Sequence, residues 1–155
     1  MIIDPLKVFL KDWALLTARK DDKFNTMTIG WGELGTLWNK DVITVYVKPC
    51  RYTYEFMEAD DYFTVSFFDE AYRKDLSYLG SHSGKDEDKL ARTKLNAYAI
   101  ENGIAYKEAK LTILAKKIYH ADLCLDNIPK EMIQRYYQNE APHRLYTGEI
   151  IRIYE

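Results

Sequence analysis

The chain breaks its apolar residues into short runs, and that punctuation limits the folds open to it. WALLTA (13–18) and FNTMTIGW (24–31) read as strands joined by the polar turn Lys20-Asp21-Asp22-Lys23. DVITVYV (41–47) is β-branched and aromatic throughout, which predicts a strand with both faces covered. Pro49 closes it, because proline has no N–H to give to a ladder. YFTVSFF (62–68) is a further strand. Between them, RYTYEFMEAD (51–60) places Tyr52, Phe56 and Ala59 on one stripe of a helix.

From Asp69 the pattern changes. EAYRKDLSYL (70–79) and KDEDKLARTKLNAYAI (85–100) are predicted helical, the second with only a thin apolar stripe at Leu90 and Leu95. Asn102-Gly103 marks a turn or a helix stop. KLTILAKKIYHADL (110–123) alternates enough for a long strand or a bent hairpin arm. IPKEMIQRYY (128–137) predicts a helix with Pro129 in its first turn, where a missing N–H costs nothing. LYTGEIIRIY (145–154) is a closing strand in which Ile150, Arg152 and Tyr154 face one way and Ile151 and Ile153 the other. Strands early and late with helices between them do not give the regular βαβα order of a doubly wound sheet. The expected architecture is mainly β, a β-barrel with peripheral helices. No repeat or linker divides the chain, so one domain is expected over residues 1–155.

Composition narrows the function classes. The net charge is −2 and no basic block is present, which argues against nucleic acid as the main partner. Asp4 and Lys7 interrupt the apolar residues of MIIDPLKVFLKDW, so this segment is not read as a signal peptide. No apolar run approaches the roughly 18 residues needed to span a bilayer. A soluble cytoplasmic protein without a membrane partner is expected. Cys50 and Cys124 stand far apart, and His82, His120 and His143 share no metal spacing, so no metal ligand set is expected. His120, in an alternating segment, reads as a satisfied structural histidine. There is neither a nucleophile elbow nor a dinucleotide fingerprint, and no catalytic side chain stands out; redox chemistry here would need a bound cofactor.

Three stretches carry binding chemistry. In LGSHSGKDEDKL (79–90), Ser83 and Asp86 match a capping box, with Asp86, Glu87 and Asp88 expected to face solvent in the first turn of a helix. The same small residues, Ser81, His82, Ser83 and Gly84, would let an oxyanion approach free N–H groups, with Lys85 or Lys89 adding charge. Asn25-Thr26-Met27-Thr28, followed by Gly30 and Trp31, offers hydrogen-bonding groups that suit the edge of a flat heteroaromatic ring. The alternative is an edge strand with a polar outer face. In Lys48-Pro49-Cys50-Arg51-Tyr52-Thr53 a strand gives way to a helix. Its first N–H groups lack helical partners, and Arg51 brings a planar fork suited to phosphate. Cys50 reads as a quiet thiol rather than a nucleophile.

Taken in order, NTMTIGWG (25–32), KPCRYTYEFM (48–57), FTVSFF (63–68) and SHSGKDEDKLA (81–91) resemble the flavin reductase-like family of flavoredoxin type, the FMN-binding split barrels. The ending LYTGEIIRIY resembles the family's final strand. The resemblance implies a homodimer with FMN near the subunit interface. It implies that Asn25–Trp31 runs along the isoalloxazine ring and that Lys48–Thr53 passes the ribityl chain and phosphate. Ser81–Gly84 and Lys89 would hold the phosphate, and the carry-over is firmest for Asn25, Thr28, Arg51, Ser83 and Lys89. His82 departs from the small or polar residue usual there. The implied activity is NAD(P)H-dependent flavin or ferric reduction, with NAD(P)H as co-substrate and a small molecule or a protein as electron acceptor. Alternatives are an FMN-binding electron carrier without a nicotinamide site, and a split barrel for haem or a pyridoxine phosphate.

Overall fold

The computed structural model describes residues 2–155. In chain order the elements are α1 (Pro5–Val8), β1 (Ala14–Lys20), β2 (Lys23–Ile29), β3 (Gly32–Leu37) and β4 (Lys40–Val47). Then come α2 (Thr53–Ala59), β5 (Tyr62–Phe67), α3 (Arg73–Ser81), β6 (Ala97–Ile100) and β7 (Gly103–Tyr106). β8 (Leu111–Asp122), α4 (Lys130–Tyr136) and β9 (Arg144–Tyr154) complete the chain. Seven strands form an antiparallel sheet in the order β2-β1-β5-β8-β9-β4-β3, and β6 and β7 pair apart from it. Among the described residues no helix is long and apolar enough to cross a membrane.

The sheet curls into a barrel because one face of almost every strand is apolar. Leu16 and Ala18 of β1, Met27 and Ile29 of β2, Val45 and Val47 of β4, Phe63, Val65 and Phe67 of β5, and Ile113 and Ala115 of β8 meet in one core. Phe56 and Met57 of α2 plug it. Thus α2 buries Thr53, Phe56 and Met57, a stripe at i, i+3 and i+4, whereas Ala59 is exposed. A second layer lies outside β1 and β5, where Leu15 and Phe68 pack with Leu76 and Leu79 of α3 and Tyr106 of β7. Like residues 14–18 of β1 and 111–115 of β8, β5 is covered on both faces. Its outward Thr64 donates to the Ile104 carbonyl at 2.7 Å and its Ser66 pairs with Thr112 at 2.8 Å. β4, expected to be the covered strand, leaves Thr44 and Tyr46 half-exposed.

Turn chemistry accounts for two hairpins. Asp21 takes a left-handed φ of 56° between β1 and β2. Trp38 and Asn39 take φ of 52° and 57°, as the two-residue turn between β3 and β4 demands. β8 and β9 pair over most of their length with two register shifts, so the long strand expected over 110–123 is present and bulged. Ile150 packs against the core, while Ile151 and Ile153 are about half exposed.

Three further expectations are corrected. Residues 85–100 do not form a helix: a turn leads into a short 3-10 helix, Lys89–Arg92, and then into β6. Of the two readings open at Asn102-Gly103, the turn is the one found: Asn102, with φ of 63°, joins β6 to β7. Pro129 stands as the N-cap of α4 with extended ψ, one residue before the helical turn. His120 is exposed on β8 and has no hydrogen-bond partner among the described residues, so it is not a satisfied structural histidine.

Candidate functional site

The loop 80–84 is positioned by the end of α3, not by the start of a new helix. The Ser83 hydroxyl accepts the Lys85 N–H at 3.2 Å and the Ser83 carbonyl accepts the Asp86 N–H at 3.1 Å, a local turn in place of a capping box. A helix C-terminus presents carbonyls and the negative end of the dipole, so by itself it repels an anion. Two cations reverse that character. Arg51 Nη2 donates to the Gly80 carbonyl at 3.1 Å, and Lys89 Nζ donates to the carbonyls of Leu79 and His82 at 2.8 and 2.9 Å.

These groups line a pocket of about 230 Å³. One wall is Asn25 and Met27 of β2, a second is Cys50–Thr53 at the start of α2, and a third is Gly80–Gly84 with Lys89. No carboxylate lines it. The backbone N–H groups of Tyr52, Thr53, Ser83 and Gly84 donate no hydrogen bond within the described residues. Cations, orphan N–H groups and the absence of acids are together the chemistry that suits an oxyanion such as a phosphate monoester. Asn25 ties two walls together, donating to Thr53 Oγ1 at 2.8 Å and packing against Gly84. A Cβ at Gly84 would stand 2.1 Å from Asn25 Oδ1, so this close approach requires glycine.

The acids of the charge run 85–89 stay out of this pocket. Asp86 and Asp88 are exposed, and Asp88 Oδ1 accepts the Ala91 N–H to cap the short 3-10 helix. Glu87 accepts the Tyr78 hydroxyl at 2.6 Å. All three line an adjoining, larger pocket that shares Asn25, Tyr52, Gly84 and Lys89 with the cation-lined one. His82 stacks on Tyr78 with ring centroids 3.8 Å apart, and its Nδ1 lies 3.0 Å from the Tyr78 carbonyl.

Lys89 is 4% exposed, and burial followed by the charge of Arg51 pushes it down to about 8, with Glu87 opposing. Because the folded value lies below the unfolded one, burying the ammonium costs stability below about pH 8. That cost is relieved as the pH rises from about 8 towards 10.5. A phosphate against Nζ favours the charged form, so binding near pH 9 is expected to take up a proton. Calorimetry of phosphate-monoester binding in buffers of different ionisation enthalpy measures it. Uptake that persists in Lys89→Met would assign the proton to another group.

The remaining sequence candidates spread along and beyond β2. Thr28 Oγ1 donates to the Leu76 carbonyl at 2.5 Å and, with Gly30, lines a depression beside Gly80 and Ser81. That depression shares Gly80 and Ser81 with the cation-lined pocket, and it shares Gly30 with an apolar groove that includes Trp31. The three form adjoining stretches of one track along β2. Thr26 turns inward, donating to the Leu16 carbonyl and meeting Thr17, which pairs with Tyr106. Lys48 is drawn to the far side, onto the Tyr136 carbonyl and the Glu140 carboxylate, and does not line the cation pocket. Pro49 is exposed and lines none of these cavities. Cys50 is a free, exposed thiol at the rim.

One cluster has no counterpart in the sequence reading. His143 lies 5.2 Å from the ring of Trp31, and its Nδ1 is 2.7 Å from the Tyr137 hydroxyl. Burial, then the charges of Lys48 and Arg51, push His143 down to about 4, with Glu140 opposing. Trp31, Tyr137 and His143 come from three separated segments, so no spacing in the sequence connects them.

A curled antiparallel barrel with helices outside it places the chain among the split barrels. Residues 9–155 match the family described as flavin reductase like domain, and the chain belongs to that family. Among solved structures it is similar to flavoredoxin from Methanosarcina acetivorans, at 22% identity and a TM-score of 0.73, covering 100% of this chain and 75% of the other. It is also similar to the FMN-binding protein from Thermus thermophilus with bound 1-cyclohex-2-enone, at 19% identity and a TM-score of 0.73, with 100% and 78% coverage. Flavoredoxin of Desulfovibrio vulgaris (Miyazaki F) matches at 23% identity and a TM-score of 0.72, with 92% and 68% coverage. No curated protein matches the chain.

Proposed function

We propose that the protein binds FMN and reduces a flavin or ferric acceptor at the expense of NAD(P)H. The observation that carries this reading is the carboxylate-free pocket in which Arg51, Lys89 and four orphan N–H groups converge at one end of the β2 track. The FMN phosphate would sit there, and Asn25, Met27, Thr28 and Gly30 would flank the rest of the molecule. Bound FMN supplies the two-electron chemistry, which needs no protein acid. The chain's own part is to hold the phosphate, orient the ring along β2 and keep water from it. Family membership and the FMN-binding neighbour from Thermus thermophilus support the choice of cofactor.

The second half of the proposal is a homodimer with FMN near its interface. The half-exposed Ile151 and Ile153 of β9 supply apolar surface for such a contact, and sedimentation measures it. Purified protein is expected to absorb near ~450 nm, a generic flavin property, and to bleach on adding NADH or NADPH. Colour that persists with both nucleotides would make the protein an electron carrier, the reading that the flavoredoxin neighbours favour. Colourless protein that takes up no added FMN would sink both.

A further inference from the structure

Trp13 leads into β1 in a conformation that bulky side chains rarely adopt. Its φ is 66°, in the left-handed region, and its N–H donates to the Phe9 carbonyl at 3.2 Å to close the turn after α1. Glycine would meet that turn without strain, so what tryptophan adds there is its side chain. Two contacts hold the ring. The Arg73 guanidinium lies over it, 3.3 Å from the ring centroid, and is itself anchored on the Lys11 carbonyl. The indole also packs against the outer apolar layer of Leu15, Phe68, Leu76 and Leu79. Its pyrrole edge is turned towards Gly30, where a Cβ would stand 3.5 Å from Cδ1 and 3.8 Å from Nε1.

Trp13 lines the depression of about 280 Å³ together with Thr28, Gly30, Ser77, Gly80 and Ser81. An indole N–H can only donate. Nε1 meets no acceptor among the described residues, and no fully buried side-chain nitrogen or oxygen there lacks a partner, so Nε1 is reached from outside. Thr28 is its complement: with its proton committed to the Leu76 carbonyl, its oxygen can only accept. A fixed donor and a fixed acceptor beside the Ser77 and Ser81 hydroxyls suit a chain of hydroxyls, each of which both donates and accepts. The depression meets the cation-lined pocket at Gly80 and Ser81, which sets these groups next to Arg51 and Lys89. Together the two cavities suit a polyol esterified to phosphate.

We propose that Trp13 is a binding residue whose indole N–H donates to a hydroxyl of a phosphorylated polyol chain running from the cation-lined pocket into this depression. On the flavin reading, on which the choice of ligand rests, that chain is the ribityl chain of FMN. Trp13 then recognises neither the ring nor the phosphate but the segment that joins them.

The test uses whole protein with ¹⁵N-labelled tryptophan. The chain has 3 Trp, at positions 13, 31 and 38, so Trp31→Phe and Trp38→Phe assign the Nε1–H resonance of Trp13 by elimination. FMN and riboflavin are expected to move that resonance. Lumiflavin, with a methyl group in place of the chain, is expected to leave it in place at concentrations where its fluorescence shows it bound. Trp13→Phe keeps an aromatic ring and removes the N–H. It is expected to weaken FMN and riboflavin alike by about three- to tenfold, one neutral hydrogen bond, and lumiflavin by less than about twofold. A phosphate contact gives a different pattern, because it spares riboflavin. FMN uptake with the Trp13 resonance unmoved would overturn the proposal. So would a loss for lumiflavin equal to that for riboflavin, which would bring the indole to the ring or give it a folding role. Should Trp13→Phe fail to fold, the wild-type spectra with FMN, riboflavin and lumiflavin decide alone. Protein that takes up none of these flavins would defeat the flavin reading and this assignment with it, an outcome separate from flavin bound away from Trp13.

Discussion

Arg51→Ala and Lys89→Met are each expected to weaken FMN about ten- to a hundredfold while changing riboflavin by no more than about threefold. The figure is that of one charge-assisted hydrogen bond, about 1.5–3 kcal/mol, at 1.4 kcal/mol per decade. Riboflavin has no phosphate, so it reports whatever damage the substitution does to the loop. That control matters because Arg51 and Lys89 also hold the carbonyls of Leu79, Gly80 and His82. The double variant is expected to lose less than the two single losses together. Arg51 is one of the causes that push Lys89 down, so removing it leaves Lys89 more fully charged at a given pH. Titration of flavin fluorescence with both ligands measures all four proteins. Equal losses for FMN and riboflavin would give the two cations a folding role and leave the phosphate without a receptor.

The second large effect lies in the barrel. Phe63→Ala is expected to cost about 3–5 kcal/mol, because the side chain is 1% exposed inside the core and its ring leaves a void the sheet cannot close. Part of that ring covers Gly148 of β9. A Cβ at Gly148 would lie 2.7 Å from Phe63 Cε1 and 2.7 Å from the Ala115 Cβ, so Gly148→Ala alone overpacks the core by about 1–3 kcal/mol. Phe63→Leu removes the ring's share of that overlap and leaves the Ala115 Cβ to give way alone. The double variant Phe63→Leu/Gly148→Ala is therefore expected to be more stable than the sum of its parts by about 1 kcal/mol. Urea unfolding of the four proteins closes the cycle; strict additivity would show that the ring and the glycine do not share this volume.

What could be read from the sequence follows how local the signal is. The runs at 23–29, 40–47 and 62–67 are strands in the structure because β-branched and aromatic residues recur within each, and 14–20 is a strand on the strength of its short apolar run. β3 escaped because GELGTL carries two glycines and no β-branched residue before Thr36. Its signal lay in the Trp38-Asn39 turn, which only a hairpin explains. The charged run 85–89 reads as a helical first turn, but its second lysine, Lys89, is buried while Lys85, Asp86 and Asp88 are exposed. Asn102-Gly103 was recognised as a turn, but the two strands it joins are four residues each, too short for a periodicity. Most of the candidate site was legible because three contiguous stretches build it. Lys48 was not, since its partners at Tyr136 and Glu140 are reached only through tertiary folding. The Trp31–Tyr137–His143 cluster was invisible for the same reason.

Arg51 and Lys89 are tethered to α3 carbonyls and the adjoining His82 carbonyl, and this shapes how a phosphate would be held. Two long side chains normally give up rotamer freedom when they close on an anion. Here that freedom is lost during folding, so loading orders little. The pocket is thus preorganised: arrival of the cofactor should be limited by encounter and its departure by the strength of the contacts, with no loop closure in between.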